Sequence, residues 1–472
     1  MSIPIVHTDK KYANLRRLTS TLSCVIYKAN KTGVGPVIMK KFREDEYSRI
    51  YDHVIRETTI LHNISHPNIV QLIEICPETS YPRLILEYCG ISLWDYALSL
   101  SWKACADKFD EIFSQVLSAV FYLHSNGIIH RDIKATNVLI QGNTVKLCDF
   151  GLARRITGDD LGLIAYTINY RAPEVLAGNV NYGTSADMWA MGCMMYDFIA
   201  HTMLFGKGNE DENDDYILTE ILEEVPVTSE ELEIVNVEHN IPNGAKWKKV
   251  DRLTRFLNPI KIMMVKSLLS VDPRNRQSAR ECLQLLGFSP EPPQISPQPF
   301  LVRSKIKSDI NIRYIMVSHI LTIGDQYPVS PFTVATAVEI YDRFLINNRE
   351  KEIDQNKMIL YYIAAVIISS CVHETYKLDP SDFESVYDYN DIVNAMKSLF
   401  RDIRYNIDNM SLWQIVYAQI KMNMLGNTDE KKEQYWEIIK EIYLDYENMI
   451  GLSKRQMTRK IMKLIEKHEI QT

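Results

Sequence analysis

The spacing of apolar residues changes along the chain. Up to about Phe288, short runs rich in apolar and β-branched residues alternate with stretches of helical spacing. Apolar residues on either side of residues 31–33 predict a hairpin. Further strands are predicted at Leu84–Leu86 and Val145–Leu147, and helices dominate from Phe109 onward. A small β-rich lobe followed by a larger helical lobe is therefore expected, with a site in the cleft between the lobes.

The chain beyond this region has a different pattern. Four prolines between Glu291 and Pro299 exclude a helix or a central strand, so residues 290–308 are predicted to form a semi-stiff linker. From Ser308 to Lys467, apolar residues recur at spacings of three and four, which predicts an all-helical stretch. Its later helices are predicted at Pro380–Tyr387, Asp391–Arg404, Leu412–Met424, Lys431–Met449 and Ser453–Glu469. We therefore expect one domain at residues 12–289 and a second at residues 309–472.

Composition and charge limit the cellular compartments and the classes of partner that are expected for this chain. The chain has 472 residues and a formal net charge of −7, so it has no general attraction to nucleic acid or anionic membrane. Its longest apolar run, Ile359–Ile368, is too short for a membrane span, and the first 20 residues lack a signal-peptide core. The eight cysteines include no C-x-x-C pair. We expect an intracellular protein, cytoplasmic or nuclear, without nucleic-acid or membrane partners.

Three short motifs of the first domain place charged residues at characteristic spacings. H-R-D-I-K-A-T-N occupies His130–Asn137, D-F-G occupies Asp149–Gly151, and A-P-E occupies Ala172–Glu174. V-I-M-K ends at Lys40 and V-I-R-E ends at Glu57. Five motifs in this order resemble the signature set of the protein kinases.

The resemblance implies a role for each charged residue. Asp132 would accept or orient the proton of the substrate hydroxyl, and Lys134 would steady the transferred phosphate. Asn137 and Asp149 would hold Mg2+. Lys40 would bind the α- and β-phosphates of ATP and would pair with Glu57.

The nucleotide base would be held by apolar residues and a backbone hinge. Leu86 occupies the gatekeeper position, and Glu87 to Cys89 would hydrogen-bond adenine. The residues expected to enclose the base and sugar are Leu18, Val25 and Leu139. Three further matches are structural supports: Asp187, Trp189 and Gly192 form a D-x-W-x-x-G helix, and Arg276 would pair with Glu174.

The phosphate-binding loop departs from the family pattern. Its three glycines are replaced by Thr19, Thr21 and Cys24, and Ile38 replaces the small residue above adenine. Glycine lets backbone approach phosphate closely and flex, so nucleotide binding should be weakened. A pseudokinase that binds partners without transferring phosphate is therefore an alternative.

The motif Y-R-A-P-E, Tyr170–Glu174, resembles the cyclin-dependent and mitogen-activated branch. Arg171 marks that branch, whose members often prefer proline after the target residue, and Thr167 resembles the substrate-loop threonine of serine/threonine kinases. Family members dock an activating phosphothreonine on three arginines, which match Arg56, Arg131 and Arg154, but the phosphorylation site aligns with Gly162. Asp159 and Asp160 just before it would either replace the phosphate or form a solvated acidic turn.

The helical second domain resembles a cyclin. Y-D-R-F-L at Tyr341–Leu345 is similar to the heart of the cyclin box, with Arg313 and Asp342 as its expected buried pair. The lysine and glutamate by which cyclins contact a kinase are matched instead by Cys371 and Lys397. An unrelated helical bundle is the alternative for this domain.

Together these observations predict an α+β bilobal protein-kinase fold followed by an all-α cyclin-like helical bundle. The expected activity is ATP- and Mg2+-dependent phosphorylation of serine or threonine in protein substrates. Ile55-Arg56-Glu57 resembles the end of the helix on which a cyclin acts. The cyclin-like domain would therefore activate the kinase by packing on the helix that bears Glu57, within the chain or by exchange between chains. A docking module for substrates is the alternative role for that domain. Kinase–cyclin fusions of this kind resemble those encoded by giant DNA viruses.

Overall fold

The computed structural model of the chain describes residues 11–21, 24–43, 49–76, 83–156, 166–179, 182–208, 212–234, 246–289, 310–327, 329–348, 355–374, 378, 380–383, 387–403, 429–444 and 461–465. The chain divides into two compact units. The first comprises Met1–Arg43, Ile64–Cys76 and Pro82–Gln294, and the second comprises Glu44–Asn63, Pro77–Tyr81 and Ile295–Thr472. Helix α1 (Arg49–Asn63) thus belongs to the second unit, although it lies within the sequence predicted as the kinase domain.

The first unit begins with strands. These are β1 (Tyr12–Ser20), β2 (Cys24–Lys31), β3 (Gly35–Phe42), β4 (Leu72–Cys76) and β5 (Arg83–Glu87). In the described residues they form a five-stranded sheet with the order β1-β2-β3-β5-β4, and each neighbouring pair is antiparallel. The strand predicted at Leu84–Leu86 is therefore confirmed as part of β5.

The predicted hairpin is the connection between β2 and β3. Lys31 pairs with Gly35 at the end of the ladder, and the turn lies between them. Gly33 and Gly35 have φ angles of 80° and 100°, which side chains other than glycine rarely tolerate. Alternate residues of the hairpin face the core, which includes Ala29, Val37 and Met39 together with Ile85.

The rest of the first unit is mainly helical. Its helices are α2 (Leu93–Leu98), α3 (Trp102–Asp107), α4 (Phe109–Ser125), α5 (Pro173–Leu176), α6 (Ser185–Ala200), α7 (Asp214–Glu224), α8 (Ser229–Ile234), α9 (Pro259–Leu268) and α10 (Ala279–Leu285). Its short strands are β6 (Ile91–Ser92), β7 (Ile128–Ile129), β8 (Val138–Gln141), β9 (Thr144–Leu147) and β10 (Arg154–Arg155). Strand β9 confirms the strand predicted at Val145–Leu147.

Helix α6 lies at the centre of this helical region. Every residue from Ala186 to Ile199 is buried, as expected for a helix surrounded by other elements. Gly192 permits the close approach of α9, because a Cβ at this position would lie 3.0 Å from the side chain of Leu268. The glycine of the D-x-W-x-x-G motif therefore serves the packing of α6. The aspartate of the same motif is Asp187, which is buried on α6.

The second unit is helical in its described part. It contains α1 together with α11 (Ile310–Gln326), α12 (Pro331–Asn347), α13 (Gln355–His373), α14 (Tyr389–Asp402) and α15 (Asp429–Leu444), and residues 461–465 are also helical. Every residue from Ile363 to Cys371 is buried, and α1, α11, α12 and α14 all pack against α13. The apolar run in this region is therefore the central helix, as its all-round hydrophobicity predicts. No helix in the described residues is long and apolar enough to cross a membrane.

Helix α1 packs against α13 and forms a hydrogen bond with it. Val54 and Ile55 are completely buried on α1. The Nε of Arg56 donates to the carbonyl oxygen of Cys371 at 2.7 Å. A backbone carbonyl near the end of α13 is a natural acceptor, since the last turn of a helix leaves such groups unpaired within the helix.

Some helix boundaries differ from the expected ones. The helix predicted at Pro380–Tyr387 is only a 3-10 turn at Pro380–Phe383 in the described residues. Helix α14 begins two residues before the expected Asp391, because Asp388 caps it by accepting from the amide of Asn390 at 2.9 Å. The helix predicted at Leu412–Met424 lies outside the described residues.

Candidate active site

Asp132 is the centre of a hydrogen-bond network in the loop that follows β7. Its Oδ2 accepts from Nδ2 of Asn137 at 2.7 Å and lies 2.9 Å from Nζ of Lys134. Its Oδ1 accepts from Oγ1 of Thr167 at 2.8 Å. The same Thr167 oxygen accepts from Nζ of Lys134 at 2.6 Å. The structure thus brings together Asp132, Lys134 and Asn137, which sequence motifs predicted as site residues, with Thr167 from a separate segment.

The loop is held in place by Asp187 on α6. The backbone amides of His130 and Arg131 donate to the two oxygens of Asp187 at 2.8 and 2.9 Å. Arg131 has a φ of 66°, a conformation that a non-glycine residue keeps only when its surroundings impose it. Burial raises the pKa of Asp187, but hydrogen bonds, led by that from His124, outweigh burial and hold this pKa below its usual range. Asp187 is therefore a charged anchor for the catalytic loop.

His130 links this loop to the D-F-G segment. Its Nδ1 accepts from the amide of Asp132 at 3.2 Å, so its Nε2 carries the proton and donates to the carbonyl of Cys148 at 3.1 Å. Its ring lies edge-on to Phe150, with centroids 4.9 Å apart. Burial lowers the pKa of His130, which keeps the ring neutral and the tautomer fixed.

Lys40 and Asp149 form an ion pair. Nζ of Lys40, on β3, lies 3.0 Å from Oδ1 of Asp149. The Lys40 ammonium is the main reason that the pKa of Asp149 falls to about 2. Lys40 is nearly buried whereas the Asp149 side chain is 46% exposed, so the carboxylate remains open to further cations. Asp149 has a φ of 64°, another imposed backbone conformation at this site.

The residues predicted to hold Mg2+ suit that ion. Nδ2 of Asn137 donates to the carbonyl and carboxylate of Asp132, so Oδ1 is the atom with which Asn137 could bind a metal. Asp149 supplies an ionised carboxylate. Mg2+ prefers oxygen ligands, commonly one or two from protein together with phosphate oxygens and water. The described residues contain no cluster of three or more His, Cys, Asp or Glu side chains, so a metal here would rely on phosphate and water for its other ligands.

The predicted adenine-binding residues lie along β5 and its continuation. Leu86 is buried, and the side chain of Glu87 accepts from the amide of Gln71 at 2.7 Å and from Lys146 at 2.6 Å. The Glu87 side chain is thus engaged, and its amide donates to the carbonyl of Gln71 at 3.1 Å. The expected hydrogen bonds of residues 87–89 to adenine remain a prediction. Cys89 is buried, and burial raises the pKa of its thiol to about 12, so it stays neutral.

The apolar residues predicted to enclose the nucleotide differ in exposure. Val25 on β2 and Leu139 on β8 are half-buried. Leu18 on β1 is 43% exposed. Ile38 is half-buried on β3, where it pairs with Leu86.

The segment that replaces the glycine-rich loop is a closed turn between β1 and β2. The Thr21 amide donates to the carbonyl of Cys24 at 2.8 Å. The Cys24 amide donates back to Oγ1 of Thr21 at 3.1 Å. The side chain at the second expected glycine position therefore contributes to closing the turn, and the third expected position, Cys24, is buried.

Glu57 lies on α1, in the second unit, and is 1% exposed. Its expected pairing with Lys40 remains a prediction. Two of the three arginines predicted to bind an activation-segment phosphate, Arg131 and Arg154, lie in the first unit and are buried. The third, Arg56, lies on α1 and contacts Cys371 as described above. Asp159, Asp160 and Gly162 lie outside the described residues.

Hydrogen bonds from arginine side chains anchor residues 166–174. Arg276 makes two hydrogen bonds of 2.7 Å with the carboxylate of Glu174, as predicted. Arg171 donates to the carboxylate of Asp214 at 2.6 Å and to the carbonyl of Tyr166 at 3.2 Å. Tyr166 has a φ of 68°.

Tyr166 was not among the predicted site residues. It is 4% exposed, and its hydroxyl donates to Oδ1 of Asp187 at 3.3 Å. Its only sequence signal was a large aromatic residue directly before Thr167. The hydrogen bonds of Thr167 to Asp132 and Lys134 were also not predicted, although the residue itself was.

The expected cyclin-box pair is described in part. Asp342 on α12 is half-buried rather than fully buried, and the side chain of Arg313 on α11 lies outside the described part of the structure, so the pair remains a prediction. Cys371 is buried on α13, and Lys397 is half-buried on α14.

Comparison with known proteins identifies the class to which this fold and site belong. Residues 19–286 match the protein kinase domain, which covers more than half of the chain, and the chain therefore belongs to the protein kinases. Residues 290–408 match the N-terminal domain of cyclins. This chain is thus a kinase of the cyclin-dependent type that continues into a cyclin domain.

Similar curated proteins agree with this class. Cyclin-dependent kinase-like 4 of Mus musculus is 30% identical over 285 residues, which is 59% of this chain and 82% of that protein. Cyclin-dependent kinase 9 of Danio rerio is 27% identical, over 62% of this chain and 84% of its own length. CTD kinase subunit alpha of Schizosaccharomyces pombe is 30% identical, over 59% of this chain and 48% of its own length.

Proposed function

We propose that this chain is an ATP- and Mg2+-dependent protein serine/threonine kinase, directed to sites followed by proline and activated by its own cyclin-like domain. The observation that carries the proposal is the network of Asp132, Lys134 and Thr167. It places a carboxylate and an ammonium group within hydrogen-bonding distance of one hydroxyl oxygen, that of Thr167. A substrate hydroxyl beside this network would meet the same two groups.

The chemistry follows from these two groups. The Asp132 carboxylate would accept the proton of the substrate serine or threonine hydroxyl as that hydroxyl oxygen attacks the γ-phosphorus of ATP. The bond between the γ-phosphorus and the β–γ bridging oxygen would break, and ADP would leave. The Lys134 ammonium would offset the negative charge on the transferred phosphoryl group. Lys40 would hold the remaining phosphates, and its pairing with Asp149 keeps that carboxylate ionised. Bound Mg2+ would neutralise phosphate charge, and Asn137 and Asp149 are the residues that would hold it.

Preference for proline is supported by the backbone of Tyr166. Its carbonyl accepts from Arg171 at 3.2 Å, so this oxygen is already engaged and is a poor acceptor for an amide of a bound peptide. A substrate residue with an N–H at this position would lose a hydrogen bond to water without replacing it. Proline has no N–H and so avoids that loss.

Activation by the cyclin-like domain is supported by the packing of α1. This helix carries Glu57, which the active form of a kinase needs opposite the β3 lysine. Because α1 packs against α13, the second domain can fix the position of Glu57. We propose that this contact forms within one chain, with exchange of the second domain between two chains as the alternative.

Partners, location and origin are also proposals. The substrates are proteins, and the cyclin-like domain is the regulatory partner. The eight cysteines all lie in the described part of the chain and form no disulfide there, which supports a reducing, intracellular compartment, cytoplasmic or nuclear. A fused activator frees a kinase from a separate cyclin supply, which fits the resemblance to fusions of giant DNA viruses.

A phosphotransfer assay on a peptide library tests the proposal. Full-length protein with ATP and Mg2+ should phosphorylate Ser-Pro and Thr-Pro peptides in preference to matched Ser-Ala, Thr-Ala and tyrosine peptides. Nucleotide binding without any transfer would instead support a pseudokinase. Transfer without discrimination at the following residue would keep the kinase and reject the preference for proline.

A further inference from the structure

Tyr166 is a strained residue whose side chain the proposed chemistry does not use. Its φ of 68° is unfavourable for a bulky aromatic side chain, so its surroundings must impose this conformation. Both of its polar ends are held: Arg171 donates to its carbonyl at 3.2 Å, and its hydroxyl donates to Oδ1 of Asp187 at 3.3 Å. An observed outlier of this kind, directly before Thr167, calls for a functional explanation.

The hydroxyl of Tyr166 meets the anchor of the catalytic loop. Oδ1 of Asp187 also accepts from the amide of Arg131 at 2.9 Å, so one oxygen receives hydrogen bonds from both segments. A second connection runs parallel to the first. The Tyr166 ring lies edge-on to Tyr182, with centroids 6.0 Å apart, and the Tyr182 hydroxyl accepts from Nη1 of Arg131 at 3.0 Å. Tyr166, Tyr182, Arg131 and Asp187 are hereafter called the tyrosine cluster.

The tyrosine cluster determines where Thr167 lies. With the Tyr166 side chain and carbonyl both fixed, the next residue has little freedom, and its Oγ1 meets Asp132 at 2.8 Å and Lys134 at 2.6 Å. The cluster is buried: Tyr166, Tyr182, Arg131 and Asp187 are 4%, 7%, 3% and 0% exposed. Buried hydrogen bonds are costly to break, which makes such a connection rigid.

We propose that Tyr166 is a positioning residue that fixes the substrate-binding segment to the catalytic loop through Asp187, without a phosphate group. The inference deepens the proposed kinase function, on which its catalytic consequences rest. Loss of the hydroxyl contact would also disturb the Tyr166 carbonyl that Arg171 holds, on which the proposed preference for proline depends. The hydroxyl group carries this role, because the aromatic ring without it cannot donate a hydrogen bond to Asp187.

The test is Tyr166→Phe in the full-length protein, which removes the hydroxyl and keeps the ring. Tyr12→Phe is the matched control, because Tyr12 is also buried and donates to a carboxylate, that of Glu74 at 3.1 Å, but lies in the sheet. In Tyr166→Phe the KM for a Ser-Pro peptide should rise about fivefold, the size expected for one hydrogen bond. The preference for Ser-Pro over Ser-Ala should narrow by a similar factor, while the KM for ATP stays unchanged. Tyr12→Phe should change none of these values.

Amide hydrogen exchange measures the same connection without turnover. Peptides covering residues 166–172 should exchange faster in Tyr166→Phe than in wild type or Tyr12→Phe. If the wild-type protein transfers no phosphate, the proposed kinase function fails, and the exchange rates still decide whether Tyr166 holds the segment. Peptide KM, proline preference and exchange rates all within twofold of wild type would overturn the inference.

Discussion

The carboxylate of Asp132 receives hydrogen bonds from the Asn137 amide and the Thr167 hydroxyl, and an ion pair from Lys134. In an Asp132→Asn variant, the remaining side-chain oxygen can still accept a hydrogen bond from the Asn137 amide or from Lys134. Its amide nitrogen can donate to the Thr167 hydroxyl oxygen. The network can therefore survive the change in hydrogen bonding while it loses the negative charge and the basic oxygen.

We predict that Asp132→Asn lowers kcat by two to four orders of magnitude, roughly the contribution of a general base, with thermal stability close to that of wild type. Steady-state kinetics with a Ser-Pro peptide and a thermal melt measure the two effects. Asp110→Asn, at an exposed surface residue, is the control. A loss under tenfold would count against the role assigned to Asp132.

A second carboxyl, Asp197 on α6, predicts a pH dependence of stability. It is buried and accepts from the Tyr170 hydroxyl at 2.6 Å, and burial raises its pKa to about 7. Between its unfolded pKa near 4 and pH 7, the folded protein holds a proton at Asp197 that the unfolded chain has lost. The contribution of Asp197 to stability should therefore decrease as pH rises through this window, by at most about 1.4 kcal/mol per pH unit.

Thermal melts of wild type and Asp197→Asn at pH 5 and pH 8 check this expectation. Asparagine does not titrate, so the advantage of wild type over the variant should be larger at pH 5 than at pH 8. Comparing the stability difference between wild type and variant at the two pH values cancels the contribution of the other titrating groups. An advantage that is equal at pH 5 and pH 8 would mean that Asp197 is already ionised in the folded protein at pH 5.

At the residue scale, contiguous motifs predicted the charged groups of the site, and the structure brings Asp132, Lys134 and Asn137 together as they implied. Glu174 and Arg276 were predicted as a pair across 102 positions, and they form one. Tyr166 was not predictable, because positive φ and the approach of its hydroxyl to Asp187 depend on how α6 packs. Those contacts join residues from separate segments, and no local pattern indicates them.

At the element scale, the turn between β1 and β2 shows what the missing glycines change. Period-two spacing predicted the β2–β3 hairpin, since its alternating core positions and two glycines are local signals. The hydrogen bonds that close the other turn were not predicted. Threonine and cysteine at glycine positions implied a stiffer loop, but not that Oγ1 of Thr21 would accept from the amide of Cys24.

We predict that glycine at Thr19, Thr21 and Cys24 together lowers the KM for ATP. The triple variant removes the side-chain hydrogen bond that closes the turn and allows the backbone to approach phosphate. Steady-state kinetics over a range of ATP concentrations measure the effect. Thr21→Ser keeps the hydroxyl and should leave KM unchanged. An unchanged or higher KM in the triple variant would show that this turn binds phosphate by its own geometry.

At the scale of the whole molecule, the division of the chain is the least predictable feature. Prolines and helical periodicity indicated two domains joined near residue 290. The resemblance to a cyclin-dependent kinase predicted that the second domain packs on the helix that bears Glu57, and α1 groups with the helices around α13. No local pattern predicts this grouping, because α1 is far from those helices in sequence. Its membership depends on the burial of Val54 and Ile55 and on the Arg56 hydrogen bond, which are tertiary interactions.

That grouping leads to a prediction for the chain without its second domain. Truncation after Pro290 removes α13, and with it the surface against which α1 packs and the carbonyl that receives the Arg56 hydrogen bond. The truncated kinase should lose at least tenfold in kcat/KM, a cost of at least about 1.4 kcal/mol in transition-state free energy. Activity equal to that of the whole chain would instead make the second domain a docking module for substrates.

A point variant in the full-length chain separates loss of activation from loss of folding. Ile55 is completely buried on α1, so Ile55→Asp places a charge where no water is available and should displace the helix from α13. We predict a loss in kcat/KM comparable to that of truncation, measured with the same Ser-Pro peptide. Ile55→Leu conserves volume and apolar character, and it should keep at least about half of the activity. Because Ile55 stands two positions from Glu57, the two side chains point to different faces of α1, and the loss reports the position of the helix rather than the chemistry of Glu57. Full activity in Ile55→Asp would show that the contact of α1 with α13 is not required for catalysis.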